Sequence, residues 1–171
     1  MRGKRGGEVK YFTDQLWSDM NDEDEQIRKH AETKWEDNSK AYWARFGQSV
    51  RERLPKRVSQ CHSAVGFHDS ELIKIDISQG AQRAKYHVTV TIHLLLQGGK
   101  WIIQYKNVSK ISFDYFTDGG TMSGLDDWGY DEFLDVDEKL LSHEILFASG
   151  TTLLIHFPDK NVSIKKLTPS L

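Results

Sequence analysis

The chain has 171 residues, 38% of them hydrophobic, which suffices for one domain with a core of its own. Its formal net charge of -2 gives no general attraction to nucleic acid or anionic membranes, so neither is an expected partner. The single cysteine, Cys61, excludes an internal disulfide and a multi-cysteine zinc site, and no apolar run is long enough for a membrane helix. We therefore expect a cytoplasmic protein.

The order of sequence patterns predicts one α+β domain behind a short extension. Residues 1–9 are rich in Arg, Lys and Gly and are expected to form a flexible basic tail. Helical periodicity fills residues 10–58, whereas a period of two prevails over residues 66–168. We therefore expect a helical part and a β-sheet part within a single domain over residues 10–171.

The helical part is expected to contain a short helix and a long amphipathic one. Thr13 is a suitable N-cap for the short helix, and the acidic residues after Asn21 complement the dipole at the start of the second. Pro55 should end the second helix near Leu54, unless Gly47 interrupts it earlier. Spacings of four and seven predict one buried stripe along this helix: Ile27, Ala31, Trp35, Tyr42, Phe46 and Val50.

The rest of the chain alternates apolar and polar residues, which is typical of strands with one buried face. The alternation is clearest over residues 86–94, and Gly98-Gly99 predicts a hairpin into the next strand. Further short strands separated by turns bring the number to about seven. Their even spacing favours a largely antiparallel sheet, against which the long helix packs.

An acidic stretch between Asp114 and Glu144 is the sharpest electrostatic feature. It contains ten acidic residues and one Lys, a net charge of -9. Because clustered charge steers proteins of opposite charge, we expect a surface that binds a basic protein partner. A merely solvated face is the alternative. The candidate binding residues are Asp126, Asp127, Asp131, Glu132 and Asp135.

A second candidate lies at the junction of the two parts, where His68, Asp69 and Glu71 place an imidazole and two carboxylates within four residues. Such groups can perform acid–base catalysis or bind a metal, and His143 is a further weak candidate ligand beside His68 and Asp69. On a strand, however, His68 would point away from the two carboxylates. The alternative is a turn in which Asp69 or Ser70 accepts backbone hydrogen bonds.

The sequence lacks the signatures of common enzyme classes. It has no phosphate-binding loop, dinucleotide fingerprint, nucleophile elbow or zinc-protease helix, and Cys61 has no activating context. We expect no cofactor. The patterns favour a non-enzymatic interaction protein, with a metal-dependent or acid–base enzyme centred on His68, Asp69 and Glu71 as the alternative. Nucleic-acid binding through the basic residues 51–57 and the tail is a third hypothesis, which predicts steep salt dependence.

Several segments resemble a family of small uncharacterised bacterial proteins that share a domain of unknown function. They are Lys10-Tyr11-Phe12-Thr13 followed by Leu16-Trp17, then Phe67-His68-Asp69-Ser70, and then residues 130–133, 143–150 and 154–157. The His-Asp-Ser junction is also similar to that of bacterial toxin-immunity proteins. The resemblance implies that the domain begins near Lys10, and the family brings no established activity. The similarity of the junction alone implies an immunity-like role. It implies no catalytic residues.

Overall fold

The computed structural model describes residues 9–82, 85–115 and 124–167. In these ranges the chain forms three α-helices followed by eight strands, and every strand pair is antiparallel. The predicted α+β class is confirmed, and the predicted number of about seven strands is nearly right. Part of the predicted loop after residue 118 lies outside the described residues.

The first two helices begin where their capping residues predict. The Thr13 hydroxyl accepts a hydrogen bond from the Leu16 N–H before α1 (Asp14–Met20), and the Asp24 carboxylate accepts one from the Gln26 N–H before α2 (Glu25–Arg45). Beyond Arg45 the helix widens into a π-helical turn, Phe46–Val50, and then tightens into a 3₁₀ turn, Arg51–Arg53. The long helix is therefore not regular through Gly47, although it reaches Leu54.

The ends of the helical part differ from the prediction. A third helix, α3 (Lys56–Ala64), follows Pro55, so this part ends at Ala64 and not at residue 58. Proline ends one helix and is also well suited to start the next, because the first turn leaves its backbone nitrogen unpaired in any case. At the other end, Val9 is buried, so it does not belong to a flexible tail. Residues 1–8 lie outside the described residues.

The strands form two four-stranded sheets where the sequence predicted one. The first sheet has the order β1-β2-β3-β8, and the second has the order β4-β7-β6-β5. The predicted hairpin at Gly98-Gly99 joins β2 to β3, with Gln97 and Gly98 both at positive φ as its central residues. The strands are β1 Glu71–Gln82, β2 Lys85–Leu96, β3 Gly99–Tyr105, β4 Lys110–Asp114, β5 Trp128–Asp135, β6 Leu140–Phe147, β7 Thr152–Pro158 and β8 Val162–Leu167.

The two sheets share one apolar core, which makes the β part a sandwich. Tyr105 of the first sheet lies with its ring centroid 5.3 Å from that of Phe157 in the second. In the first sheet the strands alternate as predicted, since β2 buries Val90 and Ile92 and leaves the residues between them partly exposed. In the second sheet β5, β6 and β7 bury residues on both faces. The core residues include Val90, Ile92, Ile103 and Ile164 from the first sheet and Phe133, Ile145, Phe147 and Ile155 from the second.

The helices close one side of this sandwich. The π-helical turn packs on β5, and α3 packs on β8, which are the outermost strands of their sheets on that side. The Tyr42 hydroxyl accepts a hydrogen bond of 3.0 Å from the Phe133 N–H on β5. On the opposite side the outermost strands are β1 and β4. Within the described ranges, no helix has the length and apolar character that crossing a bilayer requires.

Candidate functional site

A groove of about 670 Å³ lies between β1 and β4, on the side of the sandwich away from the helices. Its floor consists of side chains on the core-facing sides of both sheets. Ile75 and Ile77 of β1 pair with the buried Ile92 and Val90 of β2, and Phe113 of β4 pairs with the buried Leu153 of β7. These strands therefore carry core-type residues to a place where the sandwich is open.

The apolar residues of this groove are unusually exposed for their orientation. Ile77 is 61% exposed, Ile73 is 49% exposed and Phe113 is 47% exposed. Ile73 stands at an irregularity of the β1–β2 ladder, between Leu72 and Lys74. Contiguous exposed apolar side chains in one groove are a mark of an interaction site, since isolated ones are the rule elsewhere on protein surfaces.

The rim of the groove is acidic. Glu71, Asp126 and Asp127 line it together with one base, Lys74. The Lys74 ammonium already binds the Asp76 carboxylate at 2.9 Å, so it does little to neutralise the negative charge of the rim. Asp126 has a φ of 61°, and its carboxylate accepts the N–H of the residue that follows it, so the loop holds both aspartates at the groove.

The prediction of one exposed acidic surface is wrong for Asp131 and Glu132. Both lie on β5, which is covered on both faces, and Glu132 is fully buried. Asp135 is half-buried and its carboxylate binds Arg45 at 2.8 Å and Ser49 at 3.1 Å, so it stabilises the contact between α2 and β5. The hydrogen bond from Arg45 lowers the pKa of Asp135. Of the five predicted binding residues, Asp126 and Asp127 line the groove.

Glu132 anchors the start of the domain to the sheet. Its carboxylate accepts three successive main-chain N–H groups, from Lys10 at 2.9 Å, Tyr11 at 2.6 Å and Phe12 at 2.8 Å. Burial raises the pKa of Glu132, and these three donors act in the opposite direction. The side chain thus satisfies backbone groups that would otherwise be buried without partners.

Glu144 faces Glu132 directly across the β5–β6 pair. Partial burial, and secondly the charge of Glu132, raise the pKa of Glu144 to about 7, while Lys110 acts in the opposite direction. Like charges in directly opposed positions destabilise an antiparallel pair. The two carboxylates therefore destabilise this packing only while both are ionised.

Asp131 is the centre of a buried hydrogen-bond network. One of its oxygens, Oδ2, lies 3.1 Å from His62 Nδ1 and 2.7 Å from His143 Nε2, and the other accepts the Trp128 indole N–H at 3.0 Å. Burial acts to raise the pKa of Asp131, but the two imidazoles outweigh it and hold the pKa well below its usual range. The carboxylate is therefore ionised at neutral pH.

Two tyrosines complete the network at its ends. The Tyr42 hydroxyl lies 2.7 Å from His62 Nε2, and the Tyr105 hydroxyl lies 2.5 Å from His143 Nδ1. The Tyr42 hydroxyl also accepts the Phe133 N–H, so this one oxygen links α2 to both α3 and β5. Burial lowers the pKa of His143, so this imidazole is neutral at neutral pH.

Every heteroatom of this network is used inside the protein. Each imidazole binds a tyrosine with one nitrogen and Asp131 with the other, and burial raises the pKa of both hydroxyls well above the usual tyrosine value. No nitrogen or hydroxyl of the network is left to take a proton from a substrate. The network therefore fixes the position of α3 against β5 and β6, and it has the character of a structural polar core.

The predicted site at His68, Asp69 and Glu71 is divided. His68 Nδ1 lies 2.9 Å from Asp69 Oδ1, and both side chains are largely exposed. The segment is a turn, as predicted, but its hydrogen bonds run in the opposite direction: the Asp69 N–H donates to the Trp128 carbonyl, and the Ser70 hydroxyl donates to the Phe67 carbonyl. Asp69 has a φ of 61°, whereas Glu71 begins β1 and lines the groove.

No group of three or more His, Cys, Asp or Glu side chains within the described ranges is arranged to hold a metal ion. Both nitrogens of His143 have partners in the buried network, so this structure contradicts its predicted role as a metal ligand. Cys61 is buried, and burial raises the pKa of its thiol, which disfavours the thiolate.

A scan against protein-family models found no match to this chain, and a search of curated proteins found no significant match. The resemblance to small bacterial proteins and to toxin-immunity proteins therefore stays a prediction.

Proposed function

We propose that the protein is a non-enzymatic interaction module that binds an extended, basic segment of another protein in the groove between β1 and β4. The observation that carries this proposal is the exposed apolar floor between two edge strands, with an acidic rim. The acidic residues Asp126 and Asp127, which the sequence suggested as binding residues, belong to that rim.

The position of β1 favours strand addition as the mode of binding. β1 has twelve residues, and among the described strands it pairs with β2 alone, so its other edge can accept a further strand. A strand added there would direct every second side chain toward the groove floor. Covering Ile77 alone would contribute about 1–2 kcal/mol to the free energy of binding, which corresponds to roughly a tenfold change in affinity.

The acidic rim predicts the charge of the bound segment. Glu71, Asp126 and Asp127 outnumber Lys74, whose ammonium is already paired with Asp76. The bound segment should therefore alternate apolar side chains with Lys or Arg. The toxin-immunity resemblance of the sequence agrees with a partner of this kind, which would be a bacterial toxin domain. A location in the cytoplasm is part of the proposal, and the single free cysteine is compatible with it.

The test uses a displayed random library of twelve-residue peptides, the length of β1. Peptides selected on the wild type should show alternating apolar and basic residues. Their affinity, measured by fluorescence anisotropy, should fall about tenfold in Ile77→Asp. Val136→Asp is the matched control, because Val136 is 43% exposed and is not among the groove residues.

Two further measurements separate strand addition from other ways of binding. Amide hydrogen exchange should slow along β1 when the peptide binds, and Asp126→Asn with Asp127→Asn should weaken binding most at low salt. Equal binding by Ile77→Asp and the control would refute the proposal. So would a stable dimer of the free protein that Ile77→Asp dissociates, since the groove would then bind a second copy of this chain.

A further inference from the structure

β1 and β2 form a hairpin arm that extends past the pairing of β2 with β3. The pairs between β2 and β3 begin at Val90, so the last five residue pairs between β1 and β2 belong, among the described strands, to a ladder of two strands only. This arm comprises residues 78–82 and 85–89. It begins where the groove between β1 and β4 ends, because Ile77 lines the groove and pairs with Val90. The surface of the arm is therefore continuous with the groove.

The arm carries an exposed aromatic residue on its groove side. Strand residues two apart share a face, so Tyr86 lies on the same face of β2 as Val88 and the buried Val90. Tyr86 is 75% exposed, the largest fraction among the exposed large hydrophobic residues of the described chain. It pairs with Ala81, four residues after Ile77, so it extends the apolar floor by about 13 Å at the usual rise of about 3.3 Å per residue.

The charges along this surface differ in sign between its two ends. Glu71, Asp126 and Asp127 line the groove where β1 begins. Residues 78–89, in contrast, contain two basic residues and no acidic one. A bound segment with evenly distributed Lys or Arg would therefore bring like charges together at the arm, which costs affinity. Charge complementarity favours a segment whose basic residues lie at one end.

The free edge of β1 determines which end of the bound segment is basic. The Trp128 N–H donates to the Ser70 carbonyl at 2.9 Å, so the edge is already occupied just before Glu71. An added strand therefore ends beside the acidic loop. All strand pairs among the described residues are antiparallel, and antiparallel pairing is slightly more stable for each residue. An antiparallel strand on β1 has its C-terminal half at the acidic end and its N-terminal half beside the arm.

We propose that the bound segment is asymmetric and pairs antiparallel with β1, with Lys or Arg in its C-terminal half and an aromatic residue near its N-terminus against Tyr86. This inference rests on the proposed function, because it concerns the same bound segment. The added strand would lie two strand spacings, about 10 Å, from β2. Two large side chains can span this distance, and the β1 residue between them is Ala81. Contact between two aromatic rings there should strengthen binding by about three- to tenfold.

Two designed peptides of twelve residues, the length of β1, test the asymmetry. Both have an apolar residue at every second position and the same composition. The first has Tyr in its N-terminal half and Lys in its C-terminal half, and the second has the two halves exchanged. The first should bind at least about tenfold more tightly at low salt, and the difference should shrink as the salt concentration rises. Tyr86→Ala should lower the affinity for the first peptide by about three- to tenfold, and Tyr86→Phe, which keeps the ring, is the matched control.

A nitroxide at the N-terminus of the first peptide reports the direction of the added strand. It should broaden the NMR signal of the Tyr86 amide and leave that of the Asp127 amide unchanged. Broadening at Asp127, equal affinity of the two peptides, or equal binding by Tyr86→Ala and Tyr86→Phe would each overturn the inference. If Ile77→Asp still weakens binding in those cases, the proposed function stands and the asymmetry alone is refuted. Absence of binding by either peptide would overturn the inference as well.

Discussion

Replacing Glu144 by Gln is expected to raise the free energy of unfolding more at pH 8 than at pH 4. The pKa of this carboxyl is raised from 4.5 to about 7 in the folded protein, by partial burial and by Glu132 across the strand pair. The folded state therefore binds more protons than the unfolded state between these two values, and the free energy of unfolding falls as the pH rises through that window. The amide of the substituted glutamine does not titrate, so the variant escapes this loss.

The magnitude follows from the size of the pKa shift. A change from 4.5 to about 7 corresponds to an upper limit of about 3.5 kcal/mol, at about 1.4 kcal/mol for each pH unit. Glu144 is only partly buried, and Lys110 offsets some of the repulsion, so solvent screening reduces the expected effect to about 1–2 kcal/mol.

The assay is urea denaturation of wild type and Glu144→Gln at pH 4 and pH 8. Glu138→Gln is the control, because it removes the same charge from an exposed position and should change the difference between the two pH values by less than about 0.5 kcal/mol. If Glu144→Gln has the same effect on the free energy of unfolding at both pH values, Glu144 titrates like an exposed carboxyl, which would contradict its raised pKa.

Four further substitutions are expected to change the stability of the protein or of its N-terminal segment in a defined way. Tyr105→Phe should lower the free energy of unfolding by about 1–3 kcal/mol, because it leaves a buried imidazole nitrogen of His143 unpaired. Tyr115→Phe is the control, and it should have no measurable effect because Tyr115 is 51% exposed. Gly129→Ala should cost about 1–3 kcal/mol, because its Cβ would lie 2.6 Å from the Trp17 ring and 2.9 Å from the Leu146 carbonyl oxygen. Gly47→Ala has no atom within 4 Å of the new Cβ and should be neutral or stabilising. Glu132→Gln should speed trypsin cleavage after Lys10, since an amide has one acceptor oxygen for three N–H donors; unchanged cleavage would contradict the anchoring role.

Local patterns predicted the elements of this fold well. Thr13 caps α1, and the alternation around Val90 and Ile92 gives β2 with its buried face. What the sequence could not provide is the pairing order, because the period of two is the same for one sheet and for two. The sequence predicts Pro55 only as the end of a helix, although its fixed φ serves equally well to start α3.

The site residues show the same limit. Asp131 belongs to an acidic stretch, and charge alone suggests a solvated surface. Its partner His62 is far earlier in the chain and His143 is 12 positions later, and only the packing of α3 on the sheets brings them together. One local signal was available: Asp131 and Phe133 share a face of β5, since they are two residues apart on a strand. A carboxylate on the same face as a core phenylalanine indicates burial.

The three main-chain hydrogen bonds that Glu132 accepts join parts of the chain that are synthesised at different times. Lys10, Tyr11 and Phe12 are 120 to 122 positions before the carboxylate that holds them. At a synthesis rate of about 5–20 residues per second, the ribosome adds Glu132 about 6–24 seconds after these three residues. During this interval the aromatic face of α2, with Trp35 and Tyr42, has no sheet to cover it. The nascent chain is therefore expected to bind a chaperone through its first helices. Variants in which translation of β5 is slowed should aggregate more during synthesis than during refolding.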